Sequence, residues 1–289
     1  MSALTSGTQQ ALDIVLHTLT RPGDVLAVGA LTYPGIKLLF SAHDLDLAPI
    51  PVTATGPNLD ALDELCRTCP VRAIYTIPTV HNPLGWVLDR EQRDRLAALA
   101  RSHNCLIIED GTYAFLEPSP PPPLQALAPE RTFYVAGLSK NVAPGLRFGF
   151  AVLPDRHLEP ATSGLRTAAW GPRVSSPHSP SAGSPTERSP AWRKTAARRS
   201  RPTSPRLRRA RQHGHHGTPG LIHPVARPEA VPVPRSLATV LAEKGILVST
   251  ADAFATGPHR PRALRLALAT PPRDVALRCL KDTIDTIPP

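Results

Sequence analysis

Two hydrophobic periods alternate along the first 170 residues of the chain. TQQALDIVLHTLT (8–20) carries its apolar side chains at helical spacing, and RPGD (21–24) is a turn before the apolar run VLAV (25–28). NLDALDELCRT (58–68) predicts a helix with Asn58 as its cap, followed by the strand AIYTIP (73–78). DREQRDRLAALARSH (89–103) predicts another helix, CLIIED (105–110) a short apolar strand, and TFYVAG (132–137) and RFGFAVL (147–153) two more. Buried strands interleaved with helices predict an α/β fold around a mainly parallel sheet.

That grammar stops at Gly171 and returns near residue 236. RVSSPHSPSAGSPTERSPAWRKTAARRSRPTSPRLRRARQHGHHGTPG has no aspartate, few aliphatic residues and many Pro, Ser and Arg. Such a stretch buries too little apolar area to offset its ordering entropy, so disorder is expected over 171–230. Beyond it, SLATVLAEKGILVST (236–250) predicts a helix then a strand, ALRLALAT (263–270) a strand, and DVALRCLKDTIDTI (274–287) an amphipathic helix.

Charge sharpens this picture. The net charge of +10 over 289 residues invites a nucleic-acid reading. Yet residues 171–230 hold 12 Lys and Arg against two Glu, which leaves the rest of the chain neutral. A basic arm there lacks the interleaved aromatics that stack on bases, with Trp170 and Trp192 the only ones near. A regulatory linker is a second reading, although linkers seldom interrupt a folded domain. The composition is also what out-of-frame codons of a GC-rich gene yield, and a reading-frame shift restored before residue 236 is the favoured expectation.

No apolar run reaches the ~18 residues of a membrane span, and MSALTSGTQQ lacks the features of a signal peptide. Four cysteines at 66, 69, 105 and 279 make no disulfide framework, so a cytoplasmic location is expected. Cys66 and Cys69 form a single CxxC closing a helical stretch, read as structural rather than as half a zinc site.

Candidate chemistry concentrates in VAGLSKNVAPGLRFGF (135–150), where an apolar strand runs into Ser139 and a buried-looking Lys140, with Arg147 seven residues on. A serine hydroxyl and a planar arginine fork suit a phosphate. Gly7-Thr8-Gln9 opens the first helix, whose free N–H groups and positive dipole end also suit an anion. Taken singly, Lys140 reads as a snorkelling lysine at a strand end and Gly7-Thr8 as a simple helix cap.

Taken in order, TSGTQQALD, TYPG, HNPLG, IIEDGTY, SKNVAPGLRFG and RLALA resemble the fold-type I pyridoxal-phosphate (PLP) enzymes, the class I/II aminotransferases. Within that group they are most similar to the aminotransferase-like domain of MocR-type regulators of the GntR superfamily. The resemblance covers roughly 1–170 and 236–289. It implies a PLP-dependent transferase fold with a large PLP-binding domain over 1–157, a connecting helix beginning in 158–170, the basic segment at 171–232, and an incomplete small α+β domain over 233–289.

The resemblance also implies roles. Lys140 would hold PLP as a Schiff base and act as general base, with Asp110 on the ring nitrogen and Tyr113 and Asn82 on the ring's 3-hydroxyl. Tyr33 would stack on the ring, while Gly7, Thr8, Gln9, Ser139 and Arg147 take the phosphate. Arg265 would clamp the substrate α-carboxylate, with Asn82 also on the substrate, Arg262 the less favoured arginine and a surface strand arginine the alternative. Glu109, next to Asp110 on a strand, points to the opposite face and is set aside as the catalytic acid.

The implied activity is transfer of an amino group between an amino acid and a 2-oxo acid, in a homodimer. Alternatives are a PLP-binding effector domain of a MocR-type regulator without its winged helix-turn-helix, and an inactive frameshifted remnant. Departures from the family pattern are the missing segment before TSGTQQ and Gly29, where an acidic residue is usual ahead of TYPG. Without a DNA-binding module, no nucleic-acid partner is expected.

Overall fold

Alternation along each central strand is what lets one sheet feed two cores. On the computed structural model, Leu26, Val28, Tyr75 and Ile108 point into one cluster, while their neighbours Ala27, Ile74 and Ile107 point into the other. Residues 2–142, 147–169, 222–226, 235–243, 245–258, 260–261 and 263–267 are described.

The elements follow in chain order as β1 (Ser2–Thr5), α1 (Thr8–Leu19), β2 (Val25–Gly29), α2 (Pro34–Ala42), β3 (Asp46–Ile50), α3 (Leu59–Thr68) and β4 (Val71–Thr76). They continue with α4 (Arg90–Ser102), β5 (Leu106–Asp110), α5 (Leu124–Leu127), β6 (Thr132–Gly137), β7 (Gly149–Val152) and α6 (Leu158–Ala169). The sheet order is β1-β7-β6-β5-β4-β2-β3. Strands β6, β5, β4, β2 and β3 are parallel, and β7 and β1 join antiparallel at one end. The expected α/β architecture with a mainly parallel sheet is therefore present.

Helices cover both faces. Leu12, Val15 and Leu16 of α1, Ile36 and Phe40 of α2, and Ala161 and Leu165 of α6 close one core, all buried. Leu62 of α3 and Leu96 and Ala100 of α4 close the other, with Trp86 and Leu88 from the loop after β4.

Helix starts follow the chemistry of their caps. The Asn58 side chain accepts from the Asp60 and Ala61 N–H groups, as the sequence predicts. Asp89 caps α4 through a reciprocal pair, its carboxylate taking the Gln92 N–H while Gln92 takes the Asp89 N–H. The periodicity did not single out β1, α2 and β3: β1 and β3 are short, and α2 starts on Pro34, directly after Tyr33.

A second, three-stranded sheet comprises β8 (Ile222–Ala226), β10 (Ala263–Ala267) and β9 (Ser249–Thr250) in the order β8-β10-β9, all antiparallel. Helix α7 (Arg235–Glu243) precedes β9. Strand β8 falls inside the block expected to be disordered, so that expectation fails for 222–226: pairing along β10 gives this backbone the hydrogen bonds its composition could not secure by burial. The rest of the block up to residue 221 and the helix expected over 274–287 lie outside the described residues.

The segment after β9 docks on the large sheet. Thr32 donates its N–H to the Phe254 carbonyl, Thr256 donates to the Ala30 carbonyl, and Lys37 Nζ donates to the carbonyls of Ala253 and Ala255 at 2.9 and 2.8 Å. Phe254, buried, packs beside Leu31 and Ala255. Among the described residues no helix is long and apolar enough to cross a membrane.

Asp89→Ala removes one half of the α4 capping box and is expected to lower stability by about 1 kcal/mol in equilibrium denaturation, with little change in slope.

Candidate active site

The carboxyl ends of β2, β4, β5 and β6 meet along one edge, the place where open α/β sheets gather their ligands. From β2 the chain reaches Tyr33, from β4 His81 and Asn82, from β5 Asp110, and from β6 Ser139 and Lys140. The antiparallel β7 starts at the same edge just after Arg147, and β1 returns the chain to Gly7 at the start of α1.

Asp110 is the centre of this edge. It is 3% exposed, and Tyr75 Oη donates to its Oδ2 at 2.9 Å while the Thr112 N–H donates to Oδ1 at 2.9 Å. Burial raises its pKa, against the pull of the Thr112 and Tyr75 hydrogen bonds toward the ionised form. Glu109 points the other way, as strand alternation predicts. It takes the Gln125 N–H at 2.9 Å and lies 3.7 Å from the guanidinium of Arg93, itself fully buried on α4. Arg93 also donates to the carbonyls of Pro78 and Leu88 and to Thr79 Oγ1, tying down both ends of the loop that carries Asn82.

The corner of the edge where α1 begins is built from small residues. Gly7 has φ +104, a conformation open to glycine, and a Cβ placed there would sit 3.6 Å from the Arg147 guanidinium. Gly137 faces the start of α1 so closely that a Cβ would lie 2.6 Å from Thr8 Oγ1 and 3.0 Å from the Phe148 carbonyl. Thr8 Oγ1 is 3.4 Å from Thr112 Oγ1, which links this corner to the loop after Asp110. Gln9 is held from two sides: its Nε2 donates to the Gly35 carbonyl at 2.8 Å and its Oε1 accepts from Tyr33 Oη at 3.1 Å.

Tyr33 is half-buried, and burial first, then the Asp110 charge, raises its phenol pKa, with Arg147 opposing. Tyr113 is buried; burial raises its pKa, while Arg265, hydrogen-bonded to it, pulls the other way. Arg265 lies on β10 with its guanidinium carbon 5.7 Å from the Phe254 ring centre, and its buried Nε has no partner among the described residues. Asn82 is buried, precedes Pro83 through a cis peptide, and its Oδ1 is likewise unpartnered among the described residues.

Lys140 departs from expectation. The sequence context made it look buried, yet its side chain is exposed. The turn closed by Asn141 and Val142 N–H groups on the Leu138 carbonyl carries Lys140 past the last rung of β6. Ser139 beside it is half-buried, and Arg147 is exposed. Residues 143–146 of this loop, and Arg262, lie outside the described residues.

Sequence reading missed Tyr75, Thr112 and Phe254. Tyr75 reads as one more apolar strand position in AIYTIP; only the β4–β5 register, with Tyr75 opposite Ile108, brings its hydroxyl to Asp110.

Residues 3–280 match the family model for aminotransferase class I and II. The chain belongs to that family. It is 36% identical over 154 residues to aromatic-amino-acid aminotransferase 1 of Thermococcus litoralis, covering 50% of this chain and 37% of that one. It is 32% identical over 160 residues to the uncharacterized HTH-type transcriptional regulator YdeF of Bacillus subtilis, covering 55% of this chain and 35% of the regulator. The chain thus spans little more than a third of the length of these curated relatives. In fold it is similar to the multiple substrate aminotransferase from Thermococcus profundus, with a TM-score of 0.83 at 22% identity over 99% of this chain and 76% of that one. Membership of the family implies pyridoxal phosphate as cofactor.

Two measurements check the geometry. Gly137→Ala is expected to cost about 1–3 kcal/mol in equilibrium unfolding, because the added methyl meets Thr8 and a backbone carbonyl. Burial raises the Glu109 pKa from 4.5 to about 7, so the unfolded chain ionises this group first. Wild-type stability should therefore fall, relative to Glu109→Gln, as pH rises from 4.5 to about 7, which denaturation across a pH series would read.

Proposed function

We propose that the chain is a PLP-dependent aminotransferase-like protein, moving an amino group between an amino acid and a 2-oxo acid. The observation that carries this reading is the buried Asp110 carboxylate at the end of β5, flanked by Tyr33, Tyr113 and the Gly7–Arg147 corner. The residues fit the cofactor. Gly7 and Gly137 leave room for a phosphate against the first N–H groups of α1, where Thr8, Gln9, Ser139 and Arg147 would hold it. The unpartnered Asn82 Oδ1 and the Tyr113 hydroxyl stand ready for the ring's 3-hydroxyl, and Tyr33 for the ring face.

When bound, the cofactor supplies an electron sink for the substrate's α-carbon. Asp110 would face the ring nitrogen and favour its protonated form. Arg265, whose buried Nε has no partner among the described residues, would take the substrate carboxylate. Lys140 Nζ would hold the cofactor and, as a free amine, would serve as the base that moves the substrate's α-proton. Exposure of Lys140 in a turn suits a group that must be reached and displaced.

The domain boundaries set out from the sequence, a large domain over 1–157 and a small one over 233–289 on either side of an out-of-frame 171–232, are part of this proposal. So are a cytoplasmic location and a homodimer. A second reading, a PLP-binding effector domain of a transcription regulator, is favoured by the similarity to the HTH-type regulator from Bacillus subtilis.

Borohydride reduction of the PLP-loaded chain, followed by peptide mass spectrometry, is expected to leave the cofactor on the peptide carrying Lys140, and Lys140→Ala to lose that adduct. An unlabelled wild type overturns both readings. Labelling with amino-acid turnover supports the enzyme, and labelling without turnover supports the effector domain.

A further inference from the structure

Tyr75 is the one hydroxyl-bearing side chain of β4 that points into the α1-side core, among Ala73 and Ile77 on its own segment and Leu26, Val28 and Ile108 on neighbouring strands. It is 1% exposed. A phenol in such surroundings is costly unless its hydroxyl finds a partner, and the partner it finds is Asp110 Oδ2 at 2.9 Å. The second oxygen is taken by the Thr112 N–H, also at 2.9 Å. Two donors from different elements, β4 and the loop after β5, thus fix the plane of the carboxyl and leave one lone pair on each oxygen. Among the described residues no Lys, Arg or His forms an ion pair with Asp110, in contrast to Glu109, which faces Arg93. Neutral donors support a carboxylate without supplying the positive charge that would compete with a cationic ligand.

We propose that Tyr75 is a positioning residue of the cofactor site, holding Asp110 ionised and aimed at the ring nitrogen from behind. The inference rests on the PLP reading above. In this arrangement Thr112 sets one edge of the carboxyl and Tyr75 the other, so the oxygen presented to the cofactor cannot rotate into the core. Phenylalanine at position 75 would fill the same volume and leave Asp110 Oδ2 with one donor fewer in an apolar setting.

Binding of PLP to the full chain, followed by tryptophan fluorescence without substrate, tests this. Tyr75→Phe is expected to weaken binding about tenfold, as for loss of one hydrogen bond to a charged group. In an Asp110→Asn background the same change is expected to cost about twofold or less, because the charge through which Tyr75 acts is gone. An equal loss in both backgrounds is what a merely structural tyrosine would give, and it overturns the proposal, as does unchanged affinity of Tyr75→Phe. A wild type that fails to bind PLP overturns the aminotransferase reading and the inference with it. Intact wild-type binding with an indifferent Tyr75→Phe overturns the inference alone. Should Tyr75→Phe not fold by circular dichroism, 3-fluorotyrosine at position 75 keeps the packing and strengthens the donor. Tighter PLP binding is then expected, and unchanged affinity overturns the proposal.

Discussion

Parallel pairing of β6, β5, β4 and β2 is the constraint on which the candidate site depends. Parallel strands bring all their carboxyl ends to one edge, and each must be followed by a turn back over the sheet. Those turns deliver Tyr33, Asn82, Asp110 and Lys140 to neighbouring places although they lie far apart in the chain. The antiparallel β7 completes the edge by starting there, and β1, which pairs antiparallel with β7 and so runs with the parallel set, ends there, which brings Arg147 against Gly7. Such a sheet is stable only with helices on both faces, and the two core clusters show how the alternating strand residues meet that demand.

Glu109 and Asp110 show how two adjacent carboxyl groups acquire different characters. Both are buried and burial raises both pKa values. Glu109 turns to α4 and meets a buried guanidinium that also grips three carbonyl or hydroxyl oxygens of the loop around Asn82. Through that arginine Glu109 is tied to the framework of the loop. Asp110 turns to the other face, where, among the described residues, the Tyr75 hydroxyl and the Thr112 N–H donate to it and no cation pairs with it.

The second sheet reaches this site through one strap. Lys37 clasps the backbone of 252–255, Phe254 fills a pocket beside Leu31, and Arg265 stacks over Phe254 and bonds Tyr113. A side chain late in the sequence is thereby tied to one that follows β5. The basic block at 171–230 carries all the excess charge of the chain, while the strap is held by backbone hydrogen bonds, apolar contact and the single Lys37 ammonium.

Periodicity was enough to read the main strands and four of the helices, because a strand buried on both faces must be apolar throughout and an amphipathic helix must repeat its apolar side. Caps at Asn58 and Asp89 confirm that helix starts are local events, decided within four residues. The ordered motifs single out Gly7, Tyr33, Asn82, Asp110, Tyr113, Lys140, Arg147 and Arg265 as candidates, and the parallel sheet brings the ends of their elements to one edge. Long-range register was not legible. Nothing in AIYTIP distinguishes Tyr75 from its apolar neighbours until β4 lies beside β5 and its hydroxyl meets Asp110. Nor does local composition say that 222–226 would pair with a strand some forty residues later, or that Lys140 would stand exposed past the end of β6. Propensity and capping are settled by near neighbours in the chain; burial, charge environment and strand partnership arise only when distant segments are brought into contact.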